Sequence, residues 1–262
     1  MIDEALTEKV KELVKDLGAF RVGIVDPKKS FSRALEGYHP QDIMSTCKSV
    51  IVYAFNVGLD YYKDLHFESS NIRLGHLYRD WTTLELINYL RKKGYDATAV
   101  PRALVDEKNM VAAMSLKLAA YEAGIGMFGR PSIIVTPEFG PRVNLGAVLT
   151  DARLRADEKM KDFNPCQECD VCANVCPVKA IRIDRIPPTG FDRRKCVDFI
   201  DWIRKKTGEK VKLCGFCFNR CPAGRMVTKT MAIKKWVTLD DLNDEKKTRI
   251  VSRFFQLSEN NS

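Results

Sequence analysis

The sequence predicts a layered α/β domain followed by a small cysteine-dense domain, and two observations carry that reading. Helical and strand periodicities alternate for about 150 residues without an internal repeat, the pattern of strands and helices packed in layers. Beyond them, eight of the nine cysteines crowd together. Seven lie in two runs, Cys166-Gln-Glu-Cys169-Asp-Val-Cys172-Ala-Asn-Val-Cys176-Pro177 and Cys214-Gly-Phe-Cys217-Phe-Asn-Arg-Cys221-Pro222, and Cys196 lies between them. At 262 residues, 45% hydrophobic and 29% charged, the chain is long enough for one medium core and an accessory domain. The expected bounds are 1–160 for the α/β domain, 161–226 for the cysteine domain and 227–262 for a helical tail.

Residues 2–17 read as a helix because Ile2, Leu6, Val10, Leu13, Val14 and Leu17 share one face, and Gly18 stops it. Residues 20–25 form a short buried strand, and Pro27, Gly37 and Pro40 mark a turn-rich stretch. Residues 49–57, β-branched and aromatic, read as a central strand. Helical spacing returns over 74–93 in Leu77, Trp81, Leu84, Ile87 and Leu90, with Gly94 as the cap. A strand over 95–100 and a helix over 110–123, rich in Ala, Leu and Met, come next. Strands over 132–136 and 143–150 flank a turn at Pro137 and Gly140, and 241–257 reads as a closing helix.

Three thiolates spaced by two residues wrap one face of an iron-sulfur cubane, while a fourth, three further on and before a proline, points at a neighbouring cluster. The spacing therefore predicts two 4Fe-4S clusters in a ferredoxin-like domain. By this crossing rule Cys166, Cys169, Cys172 and Cys221 hold one cluster, and Cys176, Cys196, Cys214 and Cys217 the other. Zinc needs only four ligands per site and gives no reason for two repeats of Cys-x-x-x-Cys-Pro. Disulfides do not suit a chain in which no segment looks secretory. Cys47, just before the central strand, reads as a small core thiol, and His39, His66 and His76 have no metal-ligand spacing.

The formal charge of +9 counts thiols as neutral; eight thiolates and two oxidised cubane cores bring it to about +5. The excess is local, since residues 190–240 hold thirteen Lys or Arg against five Asp or Glu. Such a tract suits an acidic redox partner or a nucleic-acid backbone, and otherwise keeps a small cluster domain soluble. The longest apolar runs, such as 50–55, are too short to span a bilayer. With an amphipathic helix rather than a signal at the start, the expected location is the cytoplasm, without a membrane partner.

Gly124-Ile-Gly126-Met-Phe-Gly129 satisfies the Gly-x-Gly-x-x-Gly pattern of dinucleotide sites, which requires a strand before it and a helix after it. Here a helix precedes and a strand follows, which argues against NAD and for a tight helix-to-strand turn.

The stretch from Ala123-Gly-Ile-Gly-Met-Phe-Gly-Arg-Pro-Ser to Thr136-Pro-Glu-Phe-Gly-Pro-Arg142 and on to Asp151 resembles the segment ahead of the clusters in epoxyqueuosine reductases and corrinoid reductive dehalogenases. Leu74-Gly-His-Leu-Tyr-Arg-Asp-Trp81 is similar to the Gly-Arg-Asp-Tyr helix of the same families, and the long reach from Cys196 to Cys214 is also similar to theirs. The resemblance covers roughly residues 18–226. It implies a nitroreductase-like α/β domain that holds cobalamin, with both clusters placed to reduce the cobalt. On that reading the corrinoid is lined by Gly124, Gly126, Gly129, Arg130, Ser132, Thr136, Gly140 and Arg142, with Tyr78 and Arg79 nearby. Asp106 is the nearest match to the acid of epoxyqueuosine reductases, although the Ala-Pro-Val that follows that acid in the family is absent here. Dehalogenases use a tyrosine with a cationic neighbour, for which Tyr53, Tyr78 and Tyr121 are candidates, and Arg142 or Arg130 would orient an anionic group.

The expected function is thus a cytoplasmic iron-sulfur reductase. It takes electrons from a low-potential donor, ferredoxin or flavodoxin, and acts through bound cobalamin on a tRNA or a small molecule. The alternative is an electron-transfer or activator protein that reduces a corrinoid or flavin partner and holds no cobalamin itself. Epoxyqueuosine reductases usually continue into a helical repeat domain and respiratory dehalogenases begin with an export signal. Neither is read in this sequence.

Overall fold

The computed structural model describes residues 2–32, 34–56, 70–101, 104–106, 111–207 and 214–224. The expected closing helix at 241–257 and His66 lie outside them. In chain order the elements are α1 (Glu4–Asp16), β1 (Arg21–Val25), α2 (Pro27–Ser30), α3 (Pro40–Ile43), β2 (Ser49–Asn56), α4 (Ser70–Lys92), β3 (Ala97–Ala99), β4 (Leu104–Asp106), β5 (Val111–Ala112) and α5 (Leu116–Glu122). They continue as β6 (Met127–Phe128), β7 (Ile134–Val135), β8 (Val143–Thr150), α6 (Val171–Asn174), α7 (Arg193–Thr207) and α8 (Phe216–Asn219).

The chain forms two compact units. The first comprises Met1–Val57, Leu74–Met127 and Val143–Phe163, and the second Gly58–Arg73, Phe128–Arg142 and Asn164–Ser262. One break falls beside the 160/161 boundary read from sequence. The stretch Phe128–Arg142, assigned to the first domain by position, belongs to the second unit, because its two arginines and Gly140 bind the cysteine-bearing loops described below.

The first unit is built on a four-stranded antiparallel sheet in the order β1-β2-β8-β3. β2 is central, and its first seven residues are all buried, which is why it reads as an unbroken apolar run rather than an alternation. Ile51, Tyr53 and Phe55 form one core with Leu6, Val10 and Val14 of α1 and Leu86 and Leu90 of α4. Asp3 starts α1 by accepting the Leu6 N–H at 2.9 Å, and Gly18 follows its end at φ +97°. The open edge of β1 is met by Asp157: its N–H donates to the Ile24 carbonyl, and its carboxylate accepts from the Ile24 N–H, both at 2.8 Å.

Two elements differ from the sequence reading. The helix expected over 110–123 begins only at Leu116, because Ser115 caps it by accepting the Leu118 N–H at 3.1 Å, and Val111–Ala112 pairs as β5 with β4. In α4 the apolar stripe Leu77, Trp81 and Leu84 faces outward, with 63%, 56% and 50% of each surface exposed, while Arg79 and Thr82 are buried. The inward side of this half-helix is polar because it covers a polar cluster on the sheet. No helix among the described residues is long and apolar enough to cross a membrane.

In the second unit a bridge between Ile181 and Phe191 closes the loop between the two cysteine runs, and α7 packs Phe199 and Ile203 against Val178, Trp202, Cys214 and Phe216. The short helices α6 and α8 carry Cys172 and Cys217.

Candidate functional site

The thiols of the second unit fall into two electrostatic groups. Cys172 feels Cys166, Cys169 and Cys221, while Cys214 feels Cys196 and Cys176, and Cys217 feels Cys214, Cys196 and Cys176 together with Cys172. Among the described residues, no three His, Cys, Asp or Glu side chains converge on a position that one ion could fill. Burial raises Cys172 and Cys214 to about 12 and Cys221 to about 11, and lifts Cys217 well above the usual thiol range. Without iron these groups are thiols, so loading must displace their protons.

Two arginines fix this scaffold. Arg130 is buried, and all five of its N–H donors end on main-chain carbonyls: Nε on Cys169, Nη1 on Ile183 and Arg185, and Nη2 on Cys166 and Gln167, at 2.8–3.3 Å. Arg142, 1% exposed, sends Nη1 to Phe218 at 3.2 Å and Cys221 at 3.1 Å, and Nη2 to Ala223 at 2.5 Å. Both residues were expected at the corrinoid, and Arg142 also at the substrate. In the structure their guanidiniums tie the hairpin region Phe128–Arg142 to the two cysteine arms.

The glycines are engaged in the same way. Gly124 (φ +67°) ends α5 with Ile125 N–H on the Ala120 carbonyl and its own N–H on Tyr121, a left-handed helix stop, and a Cβ there would lie 2.4 Å from the Glu158 carbonyl oxygen. Gly140 (φ +58°) closes a tight turn with buried Thr136, exchanging N–H···O bonds at 2.8 and 2.9 Å, and a Cβ would meet the Ala223 oxygen at 2.0 Å. Gly129 N–H donates to Ile133, and Ser132 sits in the same turn at φ +55°. Gly126 is buried. The helix-to-strand turn read from the order of elements is present.

The first unit holds a polar cluster between α4 and β8. Arg79 Nη1 donates to Asn144 Oδ1 at 2.7 Å and its Nε to Asp80 at 3.0 Å. The Tyr53 ring lies across Gly146, where a Cβ would approach it to 2.3 Å, and the Tyr53 hydroxyl bonds Thr83 Oγ1 at 2.5 Å. Burial pushes the Tyr53 phenol up to about 12, against the opposing pull of the Thr83 bond and the Arg79 charge. Among the described residues two donors here are buried without a partner, Arg79 Nη2 and Asn144 Nδ2. A ligand presenting amide or carboxylate oxygens would satisfy both. Asn144 was missed in the sequence; its only signal is an amide inside an otherwise apolar strand.

Tyr78 is more than half exposed, and Tyr121 lies under the Lys159 ammonium at 5.3 Å. Asp106 ends β4, while its side chain lies outside the described part. Cys47 is the buried core thiol expected: it is 2% exposed, donates to the Ser49 carbonyl at 3.4 Å and is pushed up to about 11 by burial.

No family model matches the chain. It is 26% identical over 270 residues to an epoxyqueuosine reductase of Atelocyanobacterium thalassa, covering 88% of this chain and 83% of that protein. Against the epoxyqueuosine reductase of Bacillus anthracis the identity is 30% over 131 residues, 46% of this chain and 33% of the relative. Against the tetrachloroethene reductive dehalogenase of Dehalobacter restrictus it is 29% over 146 residues, 53% of this chain and 24% of the relative. In structure the chain is similar to an epoxyqueuosine reductase bound to an epoxyqueuosine-modified tRNA stem loop. There the TM-score is 0.61 at 19% identity, over 84% of this chain and 65% of that one. It is also similar to a reductive dehalogenase described as B12-dependent, with TM-score 0.67 at 18% identity, over 98% and 36%. The chain therefore spans about a third of the Bacillus relative and less than two thirds of either solved structure.

Proposed function

We propose that this chain, a member of the superfamily that joins epoxyqueuosine reductases and corrinoid reductive dehalogenases, is an iron-sulfur reductase that holds two 4Fe-4S clusters and a cobalamin. What supports the reading is the spacing of the eight cysteines, together with Cys172 lying under the influence of Cys166, Cys169 and Cys221 and Cys214 under that of Cys196 and Cys176. The buried Arg79 and Asn144 donors support a corrinoid, whose ring periphery is rich in amide oxygens. When bound, the clusters supply single electrons from an outside donor and the cobalamin a low-valent cobalt for reductive chemistry.

The chain's own residues hold, orient and protonate. Arg79 and Asn144, bonded to each other, would donate their remaining N–H groups to oxygens of the bound corrinoid beside Tyr53, which stays a neutral phenol at physiological pH. Arg130 and Arg142 clamp the cysteine loops from within. Asp106 is the proposed proton source for the substrate oxygen, a role in which a positioned acid contributes about 10²–10⁴-fold.

The proposed substrate class is an epoxyqueuosine-type tRNA nucleoside, since curated relatives matched over most of this chain are epoxyqueuosine reductases. An anaerobic assay of the reconstituted protein with an epoxyqueuosine-modified stem loop, with aryl and alkyl halides in parallel, tests it. Conversion of the nucleoside that falls at least about 100-fold in Asp106→Asn is expected. Halide release alone would transfer the chain to the dehalogenase reading, and activity unchanged in Asp106→Asn would remove that residue from the chemistry.

A further inference from the structure

The basic tract read in the sequence has a centre in the second unit. The loop after Cys176 and the first turn of α7 lie side by side: the Asp192 N–H donates to the Ala180 carbonyl at 2.8 Å, and Ile181 bridges Phe191. At that junction the Ala180 N–H reaches the Cys176 sulfur at 3.2 Å, and the Cys196 N–H meets the Asp192 carbonyl at 3.4 Å. Both thiols are half-buried. The same two segments carry Lys179, Arg193, Arg194 and Lys195, all exposed. Residues 176–180 and 192–196 hold a single carboxylate, Asp192, which accepts the Lys195 N–H at 3.0 Å.

Three successive cations stand at the positive end of the α7 dipole, where a helix favours acidic residues. Helix formation therefore gives no reason for them. Residues 208–213 and 225–262, outside the described part, add ten Lys or Arg to six Asp or Glu, so they too are basic on balance. Exposed positive charge at this density raises the encounter rate of an acidic molecule and turns it toward the patch. A phosphate backbone held here would need no particular distance from the thiols. An electron donor would, because electron transfer weakens steeply with distance, and the four cations surround Cys176 and Cys196.

We propose that this patch is the docking face for a small acidic redox protein and the point at which electrons enter the chain. The inference rests on the two-cluster reading above, in which Cys176 and Cys196 share a cluster with Cys214 and Cys217. The reduced centre of the donor loses one electron and that cluster gains it, with no bond made or broken and no proton required. Lys179, Arg193, Arg194 and Lys195 take no part in the transfer itself; they hold the acidic surface of the donor against the cluster's solvent side.

The test is stopped-flow reduction of the anaerobically reconstituted chain by reduced flavodoxin, an acidic donor, with reoxidation of its flavin as the readout and iron measured beforehand. In the unsubstituted chain the second-order rate constant should fall at least about tenfold between about 0.01 and 0.15 M salt, as the Debye length shrinks from about 30 to 8 Å. The combined variant Lys179→Glu, Arg194→Glu and Lys195→Glu should be slower by at least about tenfold at low salt, while its reduction by photoreduced deazaflavin, a small molecule with no docking face, stays at the parent rate. Lys205→Glu with Lys206→Glu, about 15 Å further along α7, should slow the flavodoxin reaction less. A rate indifferent to salt, equal slowing by both sets of substitutions, or an equal loss with deazaflavin would overturn the proposal. So would an unchanged flavodoxin rate in a combined variant that has lost binding to a tRNA stem loop, which would give the patch to nucleic acid. If the combined variant fails to load iron, Lys179→Glu and Arg194→Glu made singly, each expected to slow transfer at least about twofold, decide together with the salt dependence. No iron-sulfur signal from the unsubstituted chain would overturn the cluster reading and this proposal with it.

Discussion

Asn144 and Arg79 show how a single residue declares a site. A strand that pairs Phe55 with Asn144 and Tyr53 with Gly146 has no packing reason for an amide facing α4, and leaving two donors unpaired there costs on the order of 1–3 kcal/mol each. A bound ligand recovers that cost. Arg79→Gln is therefore expected to weaken cobalamin binding by roughly tenfold or more, read from a visible-spectrum titration, while Asp80→Asn leaves it near the parent value. Two other residues fix a pH dependence. Cys47 is raised from 9.0 to about 11 and Tyr53 from 10.0 to about 12, both chiefly by burial. The folded state keeps both protonated while the unfolded chain ionises, so their stabilisation is complete below about pH 9 and lost as pH rises through 11 and then 12. Two units correspond to about 3 kcal/mol at most for each group. Urea midpoints should fall from pH 9 upward, and Cys47→Ala should flatten the fall between pH 9 and 11; an unchanged slope would contradict the assignment.

At the scale of elements, period and caps made most of the fold legible. α1, β1, β2 and β8 lie within a residue or two of their expected ends, because each has an apolar pattern and a stop such as Gly18. What could not be read was burial. The stripe Leu77, Trp81 and Leu84 has helical spacing and looks like a core face, yet α4 turns it outward and meets the Tyr53 and Asn144 cluster with Arg79 and Thr83. A core stripe would cost 2–5 kcal/mol per truncation. The observed exposure predicts that Leu77→Ser and Leu84→Ser each change stability by no more than about 0.5 kcal/mol, as chemical denaturation would report. The short β4, β5, α6 and α8 carry too few residues for any period to show, so they were invisible in the sequence.

For the whole molecule, the chemistry was more legible than the architecture. Cysteine spacing alone leads to the expectation of two crossed quartets, since the crossing follows from the reach of a cubane and not from the surrounding fold. Position in the chain misled where the contacts run over long sequence distances. Arg130 and Arg142 precede the cysteine runs by tens of residues, and their carbonyl partners lie from Cys166 to Ala223, which no local pattern reveals. The central claim is a chain that carries two clusters and a cobalamin together. It is tested most directly by anaerobic reconstitution with iron and sulfide, followed by titration with cobalamin while cobalt EPR and visible spectra are recorded. The account predicts about eight irons per chain and stoichiometric cobalamin binding that alters the cobalt spectrum. Eight irons with no cobalamin bound would contradict it and leave an electron-transfer protein acting on a corrinoid or flavin partner.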